Sequence, residues 1–190
     1  MPLGVAVVER ALVERAIKGD EDAYASLMTM VGDRLLAIAY RILRDLQQAE
    51  DAVQVALVAA WRDLPSLRDP ERFEAWLTRL LVRACYAEAR RHRRWSVRMR
   101  VLPLEGPEGP DTTLSIADRD QLDRGFQRLP MDQRAIFILH HYLGWTHAEI
   151  AENLGIPIGT AKSRIYYATQ TLRAALEADA RTVTSAERSA

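Results

Sequence analysis

Apolar positions recur every three to four residues through most of the chain, the period of helices buried along one side. The sharpest stretch runs from Thr146 to Ala168, THAEIAENLGIPIGTAKSRIYYA. Thr146 followed three residues later by Glu149 is a capping box, so a helix is predicted to start there. Ala148, Ile150, Ala151 and Leu154 form its apolar stripe, and Gly155 can adopt the left-handed conformation that stops it. Ile156 reads as a buried plug in the turn, and Pro157 fits the entry to a second helix. That helix, Gly159 to about Leu176, buries Ala161, Ile165, Ala168 and Leu172 and shows Thr160, Lys162, Ser163, Arg164 and Tyr167 on its other face. Small, polar and cationic side chains near the start of a second helix suit the reading of a DNA major groove, so the segment reads as a helix-turn-helix. A plain αα-hairpin with a solvated face is the alternative.

The same periodicity predicts the other elements. Met1 to Val8 reads as a weakly ordered arm. A helix from near Glu9 carries Leu12, Ala16 and Ile17, and Gly19-Asp20 breaks and recaps the chain. Ala23, Tyr24, Leu27, Met28 and Val31 follow at helical spacing, with Gly32-Asp33 as a further short break. Leu35 to Leu43 lines an apolar helix, and Asp45 to Gln48 makes a polar turn. Ala49 to Leu64 is predicted to bury Ala52, Val53, Ala56, Leu57, Ala60 and Trp61, and to expose Glu50, Asp51, Gln54 and Arg62. After a loop at residues 64–69, Asp69 and Pro70 start a helix running to about Arg94 with a core stripe of Phe73, Trp76, Leu77, Leu80 and Leu81. Trp76 could also serve as a stacking platform, but its spacing with Phe73 and Leu80 favours the core. Residues 95 to about 117 lack a period and hold Pro103, Gly106, Pro107, Gly109 and Pro110, which marks a linker. A helix restarts at Ser115 or Asp118 with Leu122 and Phe126, another spans Gln133–Leu143, and residues after Ala178 read as disordered. The expected fold is all-α: two helical domains, 9–95 and 118–178, joined by a flexible acidic linker at 96–117, with a tail at 179–190 and a helix-turn-helix in the second domain.

Charge changes this picture only through its distribution. The chain holds 26 basic and 26 acidic residues, a balance that alone argues against nucleic acid. Yet arginines dominate from Arg72 to Arg100, and acids dominate from Glu105 to Asp123. Segregation of this kind lets a neutral protein carry a local positive field.

Two blocks of sequence carry a resemblance. AEDAVQVALVAAWR (Ala49–Arg62) followed by DPERFEAWLTRLLVRACYAEARR (Asp69–Arg91), and then LPMDQRAIFILHHYLGWTHAEIAENLGIPIGTAKSRI (Leu129–Ile165), resemble bacterial sigma factors of the ECF (extracytoplasmic function) type over roughly residues 10–175. The resemblance implies a protein that binds core RNA polymerase and directs promoter recognition, melting and transcription initiation. It implies that Glu50, Asp51, Gln54 and Arg62 dock on polymerase. It implies that the loop and helix from Leu64 to Arg94 recognise the minus-10 element, through Pro65, Ser66, Leu67, Arg68, Arg72, Arg79, Arg83, Arg90 and Arg91. The helix-turn-helix would read the minus-35 element through Thr160, Lys162, Ser163, Arg164 and Tyr167. An inhibitory anti-sigma factor is the further partner it implies. The sequence departs from the family pattern at Val55, where an acid is usual, at Arg83 for asparagine, at Ala87 for aspartate, and at Tyr167 for a basic residue.

Other chemistries are poorly supplied. His140, His141 and His147 are close in sequence, but the first two point to different sides of a helix and no cysteine lies near, so no metal site is expected. Glu50 and Asp51 diverge as neighbours on a helix and lack a catalytic partner. Cys85, the sole cysteine, reads as a small buried hydrophobe. No glycine-rich phosphate loop appears. No enzyme activity, cofactor or small-molecule substrate is expected. With no apolar run near the ~18 residues of a membrane span and no secretory signal, a cytoplasmic protein without membrane insertion is expected. A conventional dimeric helix-turn-helix regulator is the second reading, and a helical protein-binding adaptor the third.

Overall fold

The computed structural model of the chain describes residues 9–98 and 125–187. The described residues contain helices, helical turns and short connections, with no strand among them. The chain divides into two compact units, Met1–Gly106 and Pro107–Ala190, each with its own core.

The first unit is built from α1 (Arg10–Ile17), α2 (Glu21–Leu43), α3 (Leu46–Asp63) and α4 (Phe73–Arg98), with 3-10 turns at Leu64–Ser66 and Pro70–Arg72 between the last two. Helix α1 buries the expected Ala16, with Val13 in place of the expected Leu12 and Ile17. Gly19, at φ +92°, lets the chain turn, and Asp20 caps α2 by accepting from Ala23 N at 2.9 Å. The expected break at Gly32-Asp33 does not occur, and α2 runs unbroken to Leu43. A helical glycine costs about 1 kcal/mol, whereas burying each of Leu27, Val31, Leu35 and Ile38 contributes about 1.5–3 kcal/mol. The expected polar turn at Asp45–Gln48 is also shorter than predicted. Arg44 takes the left-handed conformation at φ 58°, and Asp45 at once caps α3 through Gln48 N at 2.8 Å.

Helix α3 packs on both α2 and α4 through a seam of four alanines, Ala49, Ala52, Ala56 and Ala60, all buried. Without side chains beyond Cβ at the seam, neighbouring helices can approach closely. This corrects the predicted core: Val53 and Leu57 are only half-buried, and Trp61 is 42% exposed, its ring edge-on to Tyr24 at 4.8 Å. In α4, Phe73, Leu77 and Leu81 are buried, while Trp76 and Leu80 lie half-buried beside them. The helix continues to Arg98, past the predicted end at Arg94 and three residues into the expected linker.

In the second unit, residues 125–128 are helical and Leu129-Pro130 ends that segment. Then come α5 (Met131–Phe137), a π-helical turn (Ile138–Tyr142), α6 (His147–Leu154) and α7 (Ile158–Glu187). Both α5 and α6 pack on α7. Gly125 allows a close crossing, because a Cβ there would stand 2.6 Å from Leu172 Cδ1. The tail expected to lack order after Ala178 is instead helical through Glu187. The expected arm at residues 1–8, most of the linker (99–117), and the restart at Ser115 or Asp118 with Leu122 lie outside the described residues.

The alanine seam yields a test. Ala56→Leu should lower unfolding free energy by about 1–3 kcal/mol, as overpacked cores do. Urea titration of the purified protein would read the loss, and a variant as stable as the parent would show that the seam has room to spare.

Candidate nucleic-acid interface

The helix-turn-helix takes the shape its local chemistry dictates. Thr146 Oγ1 accepts from Glu149 N at 3.2 Å, and Glu149 Oε2 accepts from Thr146 N at 2.8 Å, completing the capping box. Gly155, at φ +63°, ends α6. Pro157 O accepts from Thr160 N at 2.9 Å and from Ala161 N at 3.1 Å, which starts α7. Two details of the predicted stripe shift. Ala148 is exposed, and Asn153 is buried in its stead, its side-chain amide without a hydrogen-bond partner among the described residues. Ile156, expected as a buried plug, is half-buried.

On α7, Lys162 and Ser163 are exposed, Thr160 is half-buried, and Ser163 Oγ donates to Thr160 O at 3.0 Å. Tyr166 and Tyr167 are each 60% exposed, with ring centroids 5.6 Å apart. Tyr166 was not among the predicted contacts, although helical spacing puts it on the row of Gly159, Lys162, Ser163 and Gln170. Arg164 is placed differently from its neighbours: it is half-buried, and its Nη1 lies 3.4 Å from Asp132 Oδ2 on α5.

In the first unit, buried Leu64 and Phe73 bracket an exposed loop. Pro65, Ser66 and Arg68 are exposed and Leu67 is half-buried. Ser66 Oγ donates to Asp63 O at 2.6 Å, and Asp69 Oδ1 accepts from Glu71 N at 3.0 Å. Arg72 is exposed, 3.7 Å from Asp69. Trp76, Arg79, Arg83 and Arg90 then share one face of α4 by helical spacing. Arg68, Arg83 and Arg90 are exposed and form no ion pair with a described residue, so their charges are available to an external anion. Arg79 is half-buried.

Two predicted contacts from different groups meet each other instead. Arg91 Nη2 is 2.8 Å from Asp51 Oδ2 and 2.9 Å from Glu88 Oε1, which joins α3 to α4. Hydrogen bonds to Glu88 first, and the charges of Glu88 and Asp51, hold the Arg91 guanidinium still higher than its usual range. Arg62 is paired with Asp63 at 2.8 Å. Of the four residues expected to face polymerase, only Glu50 and Gln54 are exposed without such an ion pair. The sequence reading noted Val55 only as a departure from the family pattern and missed Val58, which is 65% exposed beside Val55 at 54%. An apolar residue four positions after Gln54 was the available signal.

The histidines do not diverge as predicted. The π-helical turn brings the His140 and His141 rings to 4.8 Å, and His147 lies 4.9 Å from His140. His140 Nδ1 donates to Trp145 O at 2.8 Å, given that a carbonyl can only accept. Among the described residues no group of three or more His, Cys, Asp or Glu side chains is arranged to hold a metal. Cys85 is buried and its thiol is pushed up to about 12 by that burial, which keeps it protonated and unreactive. No helix among the described residues is long and apolar enough to cross a membrane.

Comparison with known proteins connects these two sites. Residues 27–95 match Sigma-70 region 2, and residues 119–172 match Sigma-70, region 4. The chain is 34% identical to the ECF RNA polymerase sigma factor SigL of Mycobacterium tuberculosis over 169 residues, covering 85% of this chain and 95% of the relative. It is 28% identical to the RNA polymerase sigma-H factor of Pseudomonas aeruginosa, over 89% of this chain and 94% of that one. Its fold is similar to the sigma factor RpoE of Bartonella quintana, solved in complex with the anti-sigma factor NepR. That likeness has a TM-score of 0.67 and 26% identity, and covers 82% of this chain and 98% of that one.

His141 is exposed, but partial loss of water around its ring first, and the neighbouring His140 second, hold it below the usual histidine range. The unfolded chain then binds a proton more readily than the folded one, so stability rises with pH across this range. It should be fully present above the ordinary histidine pKa of about 6.5 and fall as pH drops below it. Thermal unfolding followed by circular dichroism from neutral to mildly acidic pH should show this decline, and His141→Asn should reduce it. An unchanged decline in the variant would assign the acid sensitivity to other groups.

Proposed function

We infer the working parts of this protein from one premise: the chain belongs to the ECF type of RNA polymerase sigma factors. As such it binds core RNA polymerase and directs recognition of promoter DNA, with a Sigma-70 region 2 followed by a region 4 in one chain. The observation that carries the reading is this order, an arginine-lined helix first and a helix-turn-helix second, each inside its own matched segment.

In our proposal, residues 9–95 form the domain that grips polymerase and opens the minus-10 element. The residues from about 96 to 117 link it to the domain at 118–178, which reads the minus-35 element. The α3 face docks on polymerase through Glu50 and Gln54, with Val58 and Val55 beside them and Arg62 at the edge. Asp51, held by Arg91, fixes α3 on α4 and reaches polymerase only as part of that pair. Melting exposes bases that need a cationic surface, flat groups to stack on and a pocket. Arg68, Arg72, Arg79, Arg83 and Arg90 supply the charge, the half-buried Trp76 offers a ring face, and Pro65, Ser66 and Leu67 shape the pocket. Arg91 contributes to the field while tied to α3. Arginine at position 83, where the family usually has asparagine, favours a phosphate contact over a base contact.

On the second unit, Thr160, Lys162 and Tyr167 meet phosphates, and Ser163 and Arg164 meet bases, with Tyr166 alongside them. Arg164 must leave Asp132 to do so. We also propose an inhibitory protein partner, supported by the complex of the similar RpoE with an anti-sigma factor. The protein works in the cytoplasm, where polymerase is, and contributes no catalytic group of its own.

Transcription in vitro with core polymerase and a genomic promoter library tests the reading. Transcripts from promoters sharing two spaced elements are expected. No transcript from any template, with a dimer protecting inverted repeats unaided, would instead identify a conventional regulator. On a promoter found this way, Arg164→Ala should cost about 1–3 kcal/mol at one base pair and relax discrimination there. Asp132→Asn should strengthen binding by releasing Arg164. Equal loss on every sequence would reassign Arg164 to the DNA backbone.

A further inference from the structure

Helix α1 lies ahead of the segment matched to Sigma-70 region 2, so that match assigns it no role. It has eight residues, too few to hold a helix in water by themselves. Its order comes from what it packs on, and it packs on α2 and on both 3-10 turns, Leu64–Ser66 and Pro70–Arg72. Val13 is fully buried and Ala16 nearly so. At the first turn of α1, Arg10 Nη1 lies 3.1 Å from Glu71 Oε1 on the second 3-10 turn. At the other end, Arg15 Nη2 lies 2.7 Å from Asp20 Oδ2, which holds α1 to the start of α2.

The loop between the turns has little to hold its own shape. Leu67 N donates to Leu64 O at 3.0 Å within the first turn, and Arg72 N donates to Asp69 O at 3.0 Å within the second. Neither bond crosses from one turn to the other, nor do those of Ser66 and Asp69. Helix α3 packs on the first turn and α4 on the second, and α1 packs on both.

We propose that α1 is a buttress that fixes the spacing of the two turns and so sets how strictly the loop discriminates minus-10 bases, with Val13 and Arg10 as positioning residues. The proposal rests on the reading of residues 65–68 as a minus-10 contact. A recognition loop held in its bound shape rejects poorly fitting bases, whereas a looser loop re-forms around them. The buttress therefore acts on discrimination more than on the grip on polymerase, which uses the outer face of α3.

The test uses holoenzyme assembled from core polymerase and full-length protein. Strand opening is measured on a promoter drawn from the library and on templates with single minus-10 substitutions. Val13→Ala should shrink the ratio of opening rates, matched over substituted, by about threefold or more, with core affinity held within about twofold, the scale on which contacting residues couple. Arg10→Glu, an exposed change that leaves the core intact, should also shrink the ratio, and adding Glu71→Arg should restore it. Unchanged ratios with a lowered melting temperature would overturn the proposal and leave α1 as a stabilising element only. If the unaltered holoenzyme opened promoters but substitutions in residues 65–68 left the ratio untouched, the loop reading would fall and the buttress with it.

Discussion

The alanine seam of α3 is the constraint from which the rest of the first unit follows. Four small residues facing inward let α2 and α4 pack close on either side. Because alanines occupy the contact, the bulkier residues of α3 are turned outward or to the flanks. Val55 and Val58 thereby become a surface, and Trp61 comes to rest against Tyr24 at the margin. Tyr24 Oη donates to Leu57 O at 2.6 Å, so that margin is also tied to α2. The loop between the 3-10 turns sits where it does because Leu64 and Phe73, at the ends of α3 and α4, are both buried.

Electrostatics in this neutral chain is local. Arg91 bridges Asp51 and Glu88, Arg34 pairs with Glu74, and Arg10 with Glu14 and Glu71. Apart from the buried Glu88, the side chains in these pairs are exposed or half-exposed, and pairs of that kind add little stability each. Their larger effect is selection: they remove some arginines from the pool that can meet phosphate and leave others, such as Arg68, Arg83 and Arg90, at the surface. A count of 26 against 26 hides this sorting.

What could be read from the sequence was what depends on near neighbours. The capping box at Thr146, the left-handed Gly155 and the Asp69-Pro70 start each involve residues a few positions apart, and each stands where expected. What could not be read depends on packing between distant segments. Gly32 looked like a break because its own propensity is poor, but the continuous apolar stripe of α2 outweighs it. Val53, Leu57 and Trp61 looked like core because hydrophobicity alone does not reveal that alanines will take the contact. Arg164 and Arg91 looked free because their partners, Asp132 and Asp51, lie on other helices. The ring contacts of His140 with His141 and with His147, the latter on the next helix, were not legible from helical spacing.

In the proposed function the first unit meets separated strands and the second an intact groove, which makes strand opening the act to observe. Permanganate footprinting of a library-derived promoter reads unpaired thymines directly. Reactive thymines should appear at the minus-10 element only when core polymerase and this protein are both present, and should disappear when the minus-35 element is scrambled. Reactivity with core polymerase alone, or none with the two together, would contradict the account.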